Sequence, residues 1–148
     1  MNLNLKNKNA IICASSQGLG KAAAIDLAKE GVNLAICSRD QEKIDKAKEE
    51  ILQKTEHNIK VIALKADLDS LEDIQIFLQE VEQSLGEVDI LVNNTGGPPP
   101  STFEQISDED WQNAFNSTMM SAIRLSRALV PNMKKRSGAA LSISPQYQ

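Results

Sequence analysis

The stretch Cys13-Ala14-Ser15-Ser16-Gln17-Gly18-Leu19-Gly20 joins a short apolar run, residues 10–14, to a helical pattern over residues 19–30. Small residues let a backbone turn sharply. A helix that starts there aims unpaired N–H groups and the positive end of its dipole at the turn, a setting that suits a phosphate. Two glycines taken alone fit a tight strand-to-helix turn equally well. The pattern of the surrounding chain bears on the choice.

Outward from this turn, strand and helix signals alternate. Residues 33–37, 60–64, 88–92 and 139–143 read as the second to fifth strands. Residues 41–53 carry Ile44, Ala47, Ile51 and Leu52 on one side of a helix. A further helix, capped by Ser70, carries Ile74, Phe77, Leu78, Val81 and Leu85. Gly31 and Gly86 stop the first and third helices. Residues 93–106 hold Gly96, Gly97 and Pro98 to Pro100 and read as a loop, because proline lacks a backbone donor and fixes φ. A long helix then starts at Ser107, with acid in its first turn, and ends at Gly138. Its apolar stripe runs through Trp111, Ala114, Phe115, Thr118, Met119, Ala122, Leu125 and Leu129. Strands separated by helices pair in parallel with right-handed crossovers. The expected fold is therefore α/β, a doubly wound Rossmann-type parallel sheet in the order 3-2-1-4-5. Helices cover both faces, in one domain over residues 1–148. Such sheets bind ligands at the carboxyl ends of their strands, here between the first and fourth.

Composition sets limits. The chain has 148 residues, 41% apolar and 24% charged, with a formal net charge of -4. That fits one soluble domain and disfavours nonspecific nucleic-acid binding. Lys134, Lys135 and Arg136 form the sole basic cluster and read as cations at a helix end. No run approaches the roughly 18 apolar residues of a membrane span. The polar start, residues 1–9, precedes an apolar run too short for a secretory signal, so a cytoplasmic location is expected. Cys13 and Cys37 fall in strands and are expected as buried free thiols. His57 is the one histidine, and no metal site is expected.

Gly18 and Gly20, after the first strand, resemble the Thr-Gly-x-x-x-Gly-x-Gly signature of the short-chain dehydrogenase/reductases, with Cys13 and Ala14 replacing its first two members. Asn93-Asn94-Thr95-Gly96 is similar to the family's Asn-Asn-Ala-Gly, and Ala66-Asp67-Leu68 to its adenine-contacting segment. Each alone fits a simple turn. Three in order on the right strand ends are far more specific, and the resemblance runs from Leu5 to Ser144. It implies a nicotinamide dinucleotide held by Ser15, Ser16, Gln17, Gly18, Leu19 and Gly20 at the first turn. Ser38, Arg39, Asp67, Leu68, Asn94, Thr95 and Gly96 complete that implied set. A carbonyl or alcohol substrate goes with it. Arg39 suits the extra phosphate of NADP, where a carboxylate would bind the ribose hydroxyls of NAD, and Ser38 adds a hydroxyl donor. Asp40 comes too late for that role and is expected to cap the next helix. NADP is thus expected ahead of NAD; a plain surface arginine is the alternative.

The likeness breaks at the catalytic set. In the family a Tyr-x-x-x-Lys pair does the proton chemistry, a Ser at the fifth strand steadies the substrate oxygen, and an Asn in the long helix holds a relay water. No such pair precedes Gln148, and Tyr147 has no Lys after it. The Ser position falls on Pro145; Ser144, one residue early and so on the other side of a strand, is the catalytic candidate. The Asn position falls on Thr118, and Asn116 is two residues off, about 200° around a helix. The expectation is either an oxidoreductase represented by a chain truncated on its C-terminal side, or a remnant that at most binds nucleotide. A methyltransferase using S-adenosylmethionine is disfavoured, because those sheets want an acid where Arg39 stands. The resemblance also packs the long helix against a second subunit. Trp111, Phe115, Met119 and Met120 give that helix more apolar width than one sheet face needs, so a homo-oligomer is expected.

Overall fold

A near-continuous run of Ala, Val, Ile and Leu in each inner strand demands cover on both faces of a sheet. The computed structural model describes residues 3–96, 100–136 and 138–144, and in it that demand is met. Strands β1 (Asn9–Ile12), β2 (Asn33–Ser38), β3 (Val61–Lys65), β4 (Ile90–Asn94) and β5 (Ala140–Ser144) form one sheet in the order β3-β2-β1-β4-β5. Every pairing is parallel; Ala10, for instance, lies opposite both Leu34 and Ile90. Helices α1 (Gly18–Lys29) and α2 (Gln41–Gln53) cover one face, where Ala24, Ala28, Ile44 and Ile51 meet Ile12, Leu34 and Ile36. Helices α3 (Leu71–Leu85) and α5 (Ser121–Met133) cover the other, where Ile74, Phe77 and Leu125 meet Ile11, Ala35 and Leu91.

Local signals set the helix ends. Asp40 accepts a bond from Lys43 N, and Ser70 from Asp73 N. Ser107 and Asp110 form a reciprocal capping box at the start of α4 (Asp108–Phe115). Gly31 and Gly86 follow their helices at φ 79° and 83°.

Several boundaries differ from expectation. β1 stops at Ile12, because Ala14 turns into the left-handed region at φ 46°. β4 starts later and reaches Asn94, since Asn93 and Asn94 have ladder partners in Ile143 and Ser144 despite their polar side chains. The stretch expected as loop contains a 3-10 turn, Phe103–Gln105, while Gly97, Pro98, Pro145 and Tyr147 lie outside the described residues. The long helix is not continuous. A wide π-helical turn, Asn116–Met120, separates α4 from α5, with the Ser117 and Thr118 hydroxyls donating back to Ala114 O at 3.2 and 2.6 Å. Its expected stripe divides accordingly. Ala122 and Leu125 are buried, whereas Trp111, Phe115 and Met119 are 50%, 48% and 50% exposed.

Candidate functional site

The carboxyl ends of β1, β2, β3 and β4 open into one cleft of about 1360 Å³. Its floor is the turn from β1 to α1. Ser16, Gln17 and Gly18 line it, and Gly18 adopts φ 61°, which glycine reaches at no steric cost. Gln17 precedes α1 without a side-chain cap, so the first N–H groups of that helix are left for a ligand. Leu19 is 60% exposed at the same end. Ser15 is different. It is fully buried, its hydroxyl donates to Ile12 O at 2.8 Å, and its N–H donates to Cys37 O at 3.1 Å. It ties the loop to the sheet rather than facing the cleft.

Gly20 shows how tightly this turn is drawn. A Cβ there would lie 2.6 Å from Ala14 O, 2.7 Å from Asn94 Nδ2 and 3.0 Å from Cys13 O. The buried Asn94 amide donates to both of those carbonyls at 3.2 Å. Asn94 thus fastens β4 to the loop and sets its path. Asn93 points to the opposite face, where its Nδ2 reaches Ser126 Oγ at 3.5 Å and its Oδ1 is buried without a hydrogen-bond partner among the described residues.

At the end of β2, Ser38 and Arg39 line the cleft. The Ser38 hydroxyl donates to Asp40 O at 3.1 Å and accepts from Asp40 N at 3.0 Å, so the donor expected for a phosphate is used inside the turn. Asp67 and Leu68 line the cleft beyond β3, and Asp67 Oδ1 accepts from Asp69 N in a local turn. Partial burial and the neighbouring Asp67 push the Asp69 carboxyl above the usual aspartate range, while Arg39 and Arg124 pull it down. Cys13 and Cys37 are buried free thiols in contact across β1 and β2. Their mutual hydrogen bond holds Cys37 below the usual thiol range and pushes Cys13 well above it.

Thr95 and Gly96 form the far wall, joined by residues the sequence did not single out for this purpose. Lys43, in the first turn of α2, lines the cleft beside Arg39. From α4 and the π-helical turn come Asn113 and Ser117, and Trp111, whose ring meets Phe103 edge-on at 6.2 Å. Trp111 belongs to the apolar helix face expected to be wider than one sheet face needs; its place in the cleft depends on where α4 docks, which periodicity does not report. Ser144 closes β5 opposite Asn94. Thr118 spends its hydroxyl on Ala114 O. Among the described residues no cluster of His, Cys, Asp or Glu could hold a metal ion, and no helix is long and apolar enough to cross a membrane.

The pattern of the short chain dehydrogenase family matches residues 8–146. The oxidoreductase YvrD of Bacillus subtilis is 36% identical over 148 residues, covering 99% of this chain and 54% of that protein. The 3-oxoacyl-[acyl-carrier-protein] reductase FabG of Staphylococcus epidermidis is 26% identical, covering 93% of this chain and 56% of its own. Among solved structures, L-sorbose reductase from Gluconobacter frateurii, complexed with NADPH and L-sorbose, superposes with a TM-score of 0.87 at 33% identity, covering 95% of this chain and 53% of that one. The chain spans about half the length of the curated relatives it matches.

Proposed function

The chain belongs to the short-chain dehydrogenase family, and from that premise we propose that it is the dinucleotide-binding part of an oxidoreductase that uses NADP in preference to NAD on a carbonyl or alcohol substrate. One observation carries the reading. Gly18, Arg39, Asp67 and Thr95, from four separate strand ends, line a single cleft. The fit is physical as well as topological. The Gly20 contact leaves room for nothing larger, and the uncapped start of α1 offers N–H groups to a diphosphate. Arg39 would hold the 2′-phosphate, and Asp67 and Leu68 would border the adenine. The cofactor supplies the hydride when bound. L-Sorbose reductase, a similar protein of known structure, is complexed with NADPH, which supports the choice of cofactor.

Titration of NADPH and NADH against the parent and Arg39→Ala tests this. The parent should prefer NADPH, and the variant should lose about 1.5–3 kcal/mol for NADPH alone. Equal affinities in the parent would reject the assignment.

Ser144 is the proposed catalytic residue within these residues, steadying a substrate oxygen. A second reading, a chain that binds nucleotide without turnover, draws support from Thr118, whose hydroxyl is engaged by Ala114 O at 2.6 Å. It predicts no NADPH oxidation by residues 1–148 with a panel of ketones, aldehydes and quinones. We also propose a homo-oligomer formed through Trp111, Phe115 and Met119, which light scattering would check, and a cytoplasmic location, in keeping with two free thiols.

A further inference from the structure

We propose that Lys43 is a second cation for the 2′-phosphate, reaching it from the first turn of α2 while Arg39 reaches it from the end of β2. The inference rests on the NADP reading above and goes on to ask what makes that preference workable.

The argument is one of charge. Among the described residues that line the cleft, Arg39 and Lys43 are the only cations, against Asp40, Asp67, Asp69 and Asp110. Arg39 already acts on Asp69, which itself stands against Asp67. A phosphate monoester brings a charge of about -1.5 to -2 at neutral pH. A guanidinium that already faces Asp69 and must also meet a phosphate is outnumbered. Ser38 does not help, because its hydroxyl is bonded at both ends to the Asp40 backbone.

Lys43 is free to supply the missing charge. Its side chain is 66% exposed, and its one ion pair among the described residues, with Asp40, spans 3.8 Å, longer than a hydrogen bond. The Asp40 carboxylate meanwhile accepts from Lys43 N at 3.1 Å, so the acid beside the site stays tied to the helix start when the ammonium swings away. A flexible stem with a compact ammonium suits a phosphate that Arg39 already orients.

The test uses adenosine halves of the cofactor, 2′,5′-ADP and 5′-AMP, titrated by calorimetry against residues 1–148. The ratio of their affinities reads 2′-phosphate recognition alone. Lys43→Gln should lower that ratio about three- to tenfold, with a shallower salt dependence. Lys43→Arg should keep it. Lys46→Gln removes the same charge one turn along α2 and outside the cleft lining, and should leave the ratio as in the parent. If the parent discriminates, Arg39→Ala abolishes discrimination and Lys43→Gln matches Lys46→Gln, this inference is overturned and the NADP reading stands. If the parent does not discriminate, both fall.

Discussion

Replacing Gly20 by Ala tests the close approach on which the phosphate turn is built. The added methyl would sit 2.6 Å from Ala14 O, 2.7 Å from Asn94 Nδ2 and 3.0 Å from Cys13 O. The two oxygens are backbone atoms and cannot swing aside as the end of a long side chain would. The Asn94 amide can move, but it is buried and holds both oxygens at 3.2 Å. Displacing it leaves a buried donor short of partners, at about 1–3 kcal/mol. Overpacking adds about 1–3 kcal/mol. The better helix propensity of Ala returns at most about 1 kcal/mol. With the full propensity gain taken back, the net is a destabilisation of about 1–5 kcal/mol. Gly86→Ala supplies the comparison. Its Cβ meets nothing within 4 Å, but φ 83° with ψ -150° is a conformation that glycine alone adopts readily, so it costs backbone strain and no clash. That strain is about 1–3 kcal/mol. Urea unfolding followed by circular dichroism puts both on one scale, and NADPH titration gives a second readout, because a widened turn moves its N–H groups. A Gly20→Ala loss below about 1 kcal/mol, with NADPH affinity unchanged, would refute the reasoning.

Two further outcomes follow from particular residues. Ala14 holds φ 46°, so Ala14→Gly relieves left-handed strain. After the entropy that glycine adds to the unfolded chain, the variant should gain about 0.5–1 kcal/mol, and a lower melting midpoint would count against this. Asp69 has its carboxyl pushed up by partial burial and by Asp67, so its folded state holds the proton more tightly than the unfolded chain does. The stability tied to that proton is present in acid below the ordinary aspartate range and is lost as pH rises through the raised value. Parent and Asp69→Asn should therefore melt together in strong acid and separate in the variant's favour toward neutral pH; a variant less stable at neutral pH would contradict the sign.

Much of the scaffold was legible because its signals are local. Asp40, Ser70 and Ser107 cap helices through side-chain bonds to backbone three residues on, and alternating helices and apolar strands leave few topologies open. The first and fourth strand ends were not, because long-range contacts set them. Ala14 takes a conformation that its own side chain disfavours. Asn94 looks like a turn residue until Cys13 and Ala14 supply acceptors and β5 supplies a ladder. Ser15 and Ser38 read as ligand donors by type, yet each spends its hydroxyl on nearby backbone. The π-helical turn escaped periodicity because Ser117 and Thr118 widen the helix without breaking the apolar pattern. Lys43 was not singled out, because the sequence alone does not say that the first turn of α2 borders the cleft.

The most direct test of the central claim is a two-dimensional amide NMR titration of the isotopically labelled chain with NADPH. The account predicts saturable shifts largest at the amides of Ser16 to Gly20, Arg39, Asp67, Leu68, Thr95 and Gly96. Smaller shifts are expected at Asn9, Asp89 and the other residues at the opposite end of the sheet. A folded chain whose spectrum does not change with NADPH, or changes only at that opposite end, would contradict it.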